Sequence, residues 1–313
     1  MIATITVNPC IDLSLTVDDL VKDDASRVRE FKKYAGGKGI CVSRVLRRLG
    51  EDSLTITMLG GHAGREVRHL LDKEGVRTWV VALRAETRTN IIIYEKDDRS
   101  LTRLHMRGPS VERMELEELE GLIRGLPPRT AYVALGGSLL PGFPDDFYAR
   151  VTEQLRERGM KVVLDSDEKD LRIALDSKPY MIKPNRFELS RLVGRDLGTR
   201  GDILDAARGI VDRGVNVVVV SLGAEGALAV TSDVAVEAEP PPIQDRKSTV
   251  GSGDSLVAAM LFQLIRGGED LGEILAFGVA AGTATALTPG TELCYPDDVY
   301  RLVEKVKVRK LSE

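Results

Sequence analysis

A chain of 313 residues, 43% of them hydrophobic, can bury a sizeable core, and its length fits one large α/β unit spanning residues 1–313. Lys and Arg number 44 against 48 Asp and Glu, a formal net charge of −4 without a strongly basic block, so nothing electrostatic points to nucleic acid. Cys10, Cys41 and Cys294 lack CxxC or Cys/His ligand spacing, and no apolar run reaches the ~18 residues of a membrane span, so a disulfide framework, a zinc site and a membrane anchor are not supported and a soluble cytoplasmic protein is expected.

The first apolar run, "IATITV", reads as a strand, and residues 13–33 read as short strands joined by polar turns. "AGGKGICVSRVLRRLG" (35–50) sets Gly36, Gly37 and Gly39 ahead of a helix with apolar spacing. It lacks both the Ser/Thr after Lys38 of a phosphate-binding Walker loop and the GxGxxG spacing of a dinucleotide fold, which leaves a close backbone approach to a small polar ligand or a tight helix-start turn. "LTITML" predicts a further strand, and "RTNIIIYEKDDRSLTRLHMR" (88–107) a hairpin around "EKDDRS". Together with 13–33 it is expected to form a small antiparallel sheet standing off the main body, too small for its own core and in need of a partner subunit or a closed cleft.

Then strands alternate with helices. "AYVAL", "KVVLD", "YMIKPN" and "VNVVVVSLG" predict strands, several buried on both faces, while "DDFYARVTEQLRERG" and "RGDILDAARGIVDRG" carry helical spacing, a rhythm that implies a mostly parallel sheet covered by helices. "IKPNRFELSRLVG" (182–194) puts Lys183, Asn185 and Glu188 at the carboxyl end of a strand, where open α/β sheets bind ligands. Asn185 and Glu188 suit a hydrated Mg²⁺, while local evidence alone leans to an N-cap and its capping-box partner. "VVVVSLGAEGAL" (217–228) predicts a hairpin whose turn holds Ser221, Gly223 and Gly226, and "FGVAAGTATAL" (277–287) a helix poor in bulky side chains that lets another helix, or something flat, approach closely.

"STVGSGDS" (248–255) precedes the long apolar stretch "LVAAMLFQLI". Gly251 and Gly253 let a ligand near the main chain, and the helix after them begins with unpaired N–H groups, a ready anion site. Asp254 at that position is either an ordinary helix cap or a general base that reaches an attacking hydroxyl while the N–H groups hold phosphoryl charge.

In this order "TVNPCID", "AGGKGICVSRVL", "ETRTN", "GGSLLPG", "IKPNRFELSRLVGRDL", "VSLGAEGAL", "STVGSGDSLVAAM" and "FGVAAGTATAL" resemble the ribokinase-like sugar kinases of the phosphofructokinase B branch, over essentially the whole chain. The resemblance implies a three-layer α/β sandwich with a β-clasp lid, about 13–33 and 88–107, that often builds a homodimer. It also implies phosphorylation of a hexose phosphate by ATP with Mg²⁺. Carried over by position, Asp254 matches the base, with Gly251, Ser252 and Gly253 as the anion hole. Lys183, Asn185, Ser221, Gly223, Gly226 and Thr249 match the nucleotide site, with Glu188 and Asn185 for the metal. Asp12, Gly37, Lys38, Gly39, Arg88 and Ser138 match the sugar-phosphate site. Arg27, Lys38, Arg103 and Arg107 are basic residues in or beside the lid, suited to a distal phosphate or to plain solvent.

One departure stands out: after "GGKGI" the family's hexose-phosphate kinases usually carry Asn, whereas this chain has Cys41, a weak donor and acceptor. "PPPIQDRKSTVGSGDS" and "LTPGTELC" look closer to the minor bacterial 6-phosphofructokinase, and "GGKGICVSRVL" and "RGPSV" closer to 1-phosphofructokinase and tagatose-6-phosphate kinase. Fructose 6-phosphate phosphorylated at the 1-hydroxyl is the expected reaction. A sensor that binds sugar phosphate without reacting, and a nucleoside or ribose kinase, are the competing readings. The first has no use for a base, and the second leaves Arg88 without a phosphate.

Overall fold

The computed structural model describes residues 1–166 and 168–311. In chain order the strands are β1 (Ile2–Thr6), β2 (Cys10–Val17), β3 (Glu30–Gly36), β4 (Ser53–Gly60), β5 (Arg77–Leu83), β6 (Arg88–Glu95), β7 (Leu101–Leu104), β8 (Tyr132–Gly136), β9 (Lys161–Asp165), β10 (Met181–Ile182), β11 (Val217–Ser221), β12 (Ala227–Val230), β13 (Ala235–Glu239) and β14 (Lys307–Leu311). The helices are α1 (Lys38–Arg48), α2 (Gly61–Lys73), α3 (Arg113–Arg124), α4 (Phe147–Glu157), α5 (Glu168–Ala174), α6 (Arg186–Val193), α7 (Arg200–Val211), α8 (Ser252–Ile265), α9 (Leu271–Ala286) and α10 (Pro296–Val303).

A ten-stranded sheet runs β14-β13-β12-β11-β10-β9-β8-β1-β4-β5, parallel from β11 to β5 and antiparallel from β11 to β14. Parallel strands need crossover helices, and these cover both faces. Side chains of α3, α4, α5, α6 and α7 share one apolar cluster with the sheet, and those of α1, α8, α9 and α10 share the other. Alternation along β1 shows how this is encoded: Ala3 and Ile5 enter the first cluster, while Thr4 and Thr6 face α1. There the Thr4 hydroxyl meets Ser43 Oγ at 2.9 Å and Thr6 Oγ1 accepts the Ile40 N–H at 2.9 Å, so neither buried hydroxyl is left unpaired. The small residues of α9 serve helix packing: a Cβ on Gly278 would lie 2.9 Å from Met260 Cγ, and one on Gly282 would lie 3.0 Å from the Ser252 carbonyl, so α9 lies tight on α8.

The second sheet, β3-β2-β6-β7, confirms the expected hairpin of β6 and β7, but β2 and β6 pair in parallel, so the sheet is mixed and not purely antiparallel. Its strands also begin nearer the body than expected, at Cys10 and ending at Gly36, because the chain leaves β1 directly into β2. Phe31 on β3 and Leu104 on β7 are exposed, at 67% and 50%. From β1 the chain builds outward to β4 and β5, then returns to start β8 on the other side of β1 and builds outward again. The strand order therefore reverses between β1 and β8, and the crevice above their carboxyl ends is where such a sheet offers a ligand site.

Candidate active site

Each parallel strand near that reversal delivers a polar group at its carboxyl end. Asp165, the last residue of β9, is buried and takes two ammonium groups: Lys38 Nζ lies 2.6 Å from Oδ1 and Lys183 Nζ 3.4 Å from Oδ2. Burial raises the Asp165 pKa, but Lys183 and Lys38 outweigh it and hold the carboxyl below its ordinary value. Burial likewise works against the Lys38 charge, yet Asp165 and then Asp254 outweigh it and raise that ammonium above the usual lysine value. Lys38, Gly39, Asp165 and Asp254 line one small cavity of about 10 Å³, close to the room one water needs.

Asp254 stands in the first turn of α8, whose start no side chain caps; Gly251 is the N-cap with φ +82°, left-handed backbone that suits glycine. The first-turn N–H groups therefore lack the side-chain acceptor that usually closes a helix start. Ser252 Oγ, buried, has no partner among the described residues. A Cβ on Gly253 would come within 3.1 Å of Lys183 Nζ, so a cation sits directly against this N-terminus. Burial and the neighbouring Asp165 push the Asp254 carboxyl up to about 6, with Lys38, Lys183 and a hydrogen bond from the Cys41 thiol pulling the other way. A carboxylate poised near 6, beside uncapped N–H groups and an ammonium, has the makings of a proton acceptor next to an anion hole.

The β2 side of the crevice supplies a hydrogen-bonding cluster. Asp12 Oδ2 accepts from Thr291 Oγ1 at 2.8 Å, and Oδ1 accepts from Asn90 Nδ2 at 3.1 Å and from the Cys10 thiol at 3.2 Å. Gly36 allows this: a Cβ there would overlap Asp12 Oδ2 at 2.4 Å. Gly37, with φ +119°, caps α1, so the helix-start turn is realised; a Cβ on Gly39 would collide with Thr6 Oγ1 at 2.7 Å, and the close approach seen there is that of α1 to β1. Ser138 accepts from Asn8 Nδ2 at 3.1 Å, and Arg88 donates to the Asn8 and Met106 carbonyls, both at 3.0 Å. Asn8 Oδ1 and Arg88 Nε are buried without partners among the described residues, as expected where a polar ligand completes the set.

On the opposite side Asn185 and Glu188 form a capping box: Asn185 Oδ1 accepts the Glu188 N–H at 2.9 Å and Glu188 Oε2 accepts the Asn185 N–H at 2.7 Å. The local reading of these two as a cap is thus realised. The fit to Mg²⁺ is of a particular kind: among the described residues no three His, Cys, Asp or Glu cluster for a metal, but the capping box uses only Oε2 of Glu188, and one carboxylate is what a hydrated Mg²⁺ on nucleotide phosphates requires. Ser221 bridges to Asn185, which brings the end of β11 and its turn with Gly223 and Gly226 beside α6; β11 and β12 make the expected hairpin. Thr249 lines a larger cavity of about 220 Å³ with Arg99, Ser100, Leu101, Arg103, Arg246, Lys247 and Ser248, walls that include four cations and no carboxylate.

Lys38, Lys183, Gly253 and Asp254 meet around Asp165; Asn185, Glu188 and Ser221 lie together after β10 and at the end of β11, and Thr249 lines the other cavity. Lys38, two residues past β3, pairs with Asp165. Arg103 reaches the larger cavity, whereas Arg27 and Arg107 are exposed and line neither cavity. Sequence reasoning missed Asp165, Asn8, Asn90 and Thr291; for Asp165 the signal was present, an acid closing the run "KVVLD" at the carboxyl end of a parallel strand.

Residues 5–298 match the sequence profile of the pfkB family carbohydrate kinase. The chain is 35% identical over 304 residues, 97% of its length and 89% of the relative's, to the ATP-dependent 6-phosphofructokinase isozyme 2 of Mycobacterium tuberculosis. It is 30% identical over 312 residues, 99% of both chains, to the 1-phosphofructokinase of Borreliella burgdorferi. Its fold superposes with a TM-score of 0.93 on the crystal structure of phosphofructokinase-2 from Escherichia coli in complex with substrates and products, at 33% identity over 97% of this chain and 98% of that one.

Proposed function

Since the chain belongs to the pfkB family of carbohydrate kinases and is a sugar-phosphate phosphotransferase, we propose that it is a 6-phosphofructokinase that converts fructose 6-phosphate to fructose 1,6-bisphosphate with ATP. The observation that carries the reading is Asp254 in the uncapped first turn of α8, beside Lys183 and facing the crevice floor. Asp254 accepts the proton of the sugar 1-hydroxyl as that oxygen bonds to the γ-phosphorus and the bond to the ADP oxygen breaks. The N–H groups of Gly253 and Asp254, with Gly251 and Ser252 shaping the turn and Lys183 alongside, hold the charge on the phosphoryl oxygens. Asp12 accepts hydrogen bonds from sugar hydroxyls. Gly37 and Gly39 admit the sugar to the backbone, Ser138 holds it through Asn8, and Arg88 meets the phosphate already on the substrate. Ser221, Gly223, Gly226, Thr249, Lys183 and Asn185 line the nucleotide. Mg²⁺, held through Glu188 next to Asn185, supplies charge neutralisation of the phosphates.

The sheet β3-β2-β6-β7 serves as a lid that excludes water, and its exposed Phe31 and Leu104 are covered by a second copy in a homodimer. No helix among the described residues is long and apolar enough to cross a membrane, and three buried thiols suit a reducing, cytoplasmic setting. One observation favours a second reading: Cys41 contacts the base, and the Borreliella relative is a 1-phosphofructokinase, so fructose 1-phosphate and tagatose 6-phosphate belong in the same assay. Turnover measured by ADP release with fructose 6-phosphate, fructose 1-phosphate and tagatose 6-phosphate side by side tests the assignment. Fructose 6-phosphate is expected to give the highest kcat/KM. A higher value for either other sugar reassigns the substrate, and binding without ADP release from any of them makes the protein a sensor.

A further inference from the structure

We propose that Asp165 is a positioning residue of this transfer: a fixed negative charge that engages the ammonium groups of both Lys38 and Lys183 and so keeps them off Asp254. The proposal rests on the kinase reading above. Its basis is an asymmetry among four charges in one place. Two carboxylates and two lysines meet at the crevice floor, yet both lysines pair with Asp165, and Asp254 forms no ion pair among the described residues. The lysines arrive from different elements, Lys38 from the start of α1 and Lys183 from the segment after β10. A single buried acceptor with one oxygen for each is what brings them together.

Two ammonium groups this close without a counter-charge would repel each other, and each would turn to the nearest remaining anion, Asp254. A base paired to an ammonium has a depressed proton affinity and no oxygen free for the sugar hydroxyl. Asp165 prevents that, and it leaves Lys183 against Gly253, where an incoming phosphoryl group needs a cation. The charge of Asp165 is, after burial, the largest influence raising the proton affinity of Asp254. The other groups facing Asp254 are Lys38 and Cys41 from α1 and Lys183 from the β10–α6 segment. Behind them, Asp12 and Arg44 act on Cys41, and Glu188 acts on Lys38.

The test compares Asp165→Asn and Asp165→Glu with the parent protein. Two readouts are used: the pH profile of kcat/KM and the titration of the Asp254 carboxyl in the ligand-free protein, followed by carboxyl ¹³C NMR with Asp254→Asn as the assignment control. Asp165→Asn is expected to move both the acid limb and the Asp254 midpoint down by about one pH unit or more, and to lower kcat by about tenfold or more. Asp165→Glu, which keeps the charge but displaces it, is expected to lower kcat while leaving the limb near its parental position. A merely structural Asp165 would cost activity equally at every pH, so an Asp165→Asn protein whose Asp254 midpoint does not move overturns the proposal. If Asp165→Asn does not fold, Asp165→Ser, which also removes the charge, is read in the same way: an Asp254 midpoint lowered by about one pH unit or more supports the proposal, and an unmoved midpoint overturns it. Because the titration needs no substrate, a parent protein that releases no ADP would sink the kinase reading while leaving this inference to stand or fall on the NMR midpoint.

Discussion

Asp254→Asn keeps the shape of the side chain and removes both its charge and its capacity to take a proton. Loss of a general base costs about 10²- to 10⁴-fold in turnover, and nucleotide binding, proposed to rest on backbone N–H groups and Lys183, should persist. The same substitution has a consequence for stability of opposite sign. The Asp254 carboxyl lies at about 6 in the fold against 3.8 for the free side chain. At 1.36 kcal/mol for each pH unit that displacement is worth up to about 3 kcal/mol, and solvent reaching this partly exposed residue reduces it to about 1–2 kcal/mol. The sign follows from linkage. A pKa raised on folding means that the folded state holds the proton more tightly. The contribution is thus fully present below about pH 4, is lost as pH rises through about 6, and above that the ionised carboxylate is a net burden on the fold. Asp254→Asn should therefore melt a few degrees higher than the parent protein at pH 7.5, with the gap closing by pH 4. Coupled ADP-release assays and thermal melts across that pH range give both numbers. Turnover within tenfold of the parent, or a melting temperature at pH 7.5 no higher than the parent's, would refute the reasoning.

The three cysteines are buried, and burial above all raises the pKa of each thiol, so Ellman's reagent at pH 8 should find almost no thiol in the native protein and three after denaturation. Cys41→Asn replaces a weak donor to Asp254 with an amide. It should change KM for the sugar phosphate severalfold with a smaller change in kcat, and equal constants for both proteins would show that this position does not touch sugar recognition. Phe31→Glu puts a charge in the middle of the proposed lid interface and should convert a dimer to a monomer in sedimentation velocity; a dimer undisturbed by this change places the interface elsewhere.

The layers and the run of parallel strands were readable because strands buried on both faces leave continuous β-branched runs, as in "VNVVVV", and because helical spacing marks the covering helices; the order of strands in the sheet was not. The pairing of β2 with β6 was not readable, since a mixed sheet and an antiparallel one present the same alternation along each strand. Gly37 and Gly251 announced themselves because left-handed backbone at a helix start favours glycine, and both are N-caps with positive φ. Asp165 did not. A single acid at a strand end becomes meaningful only when two lysines distant in sequence are seen to converge on it. The partner of Lys38 was hidden for the same reason: sequence shows that a residue is charged, and only the fold shows that Asp165 holds it.

The hydrogen bond between Thr291 and Asp12, with Arg44 donating to the Thr291 carbonyl at 3.0 Å, ties the second strand of the chain to the loop after the last long helix. The Asp12 cluster is thus closed by a contact across 279 residues of chain, a large loop to close, and a fragment that stops before α9 would lack this neighbour together with α10 and β14.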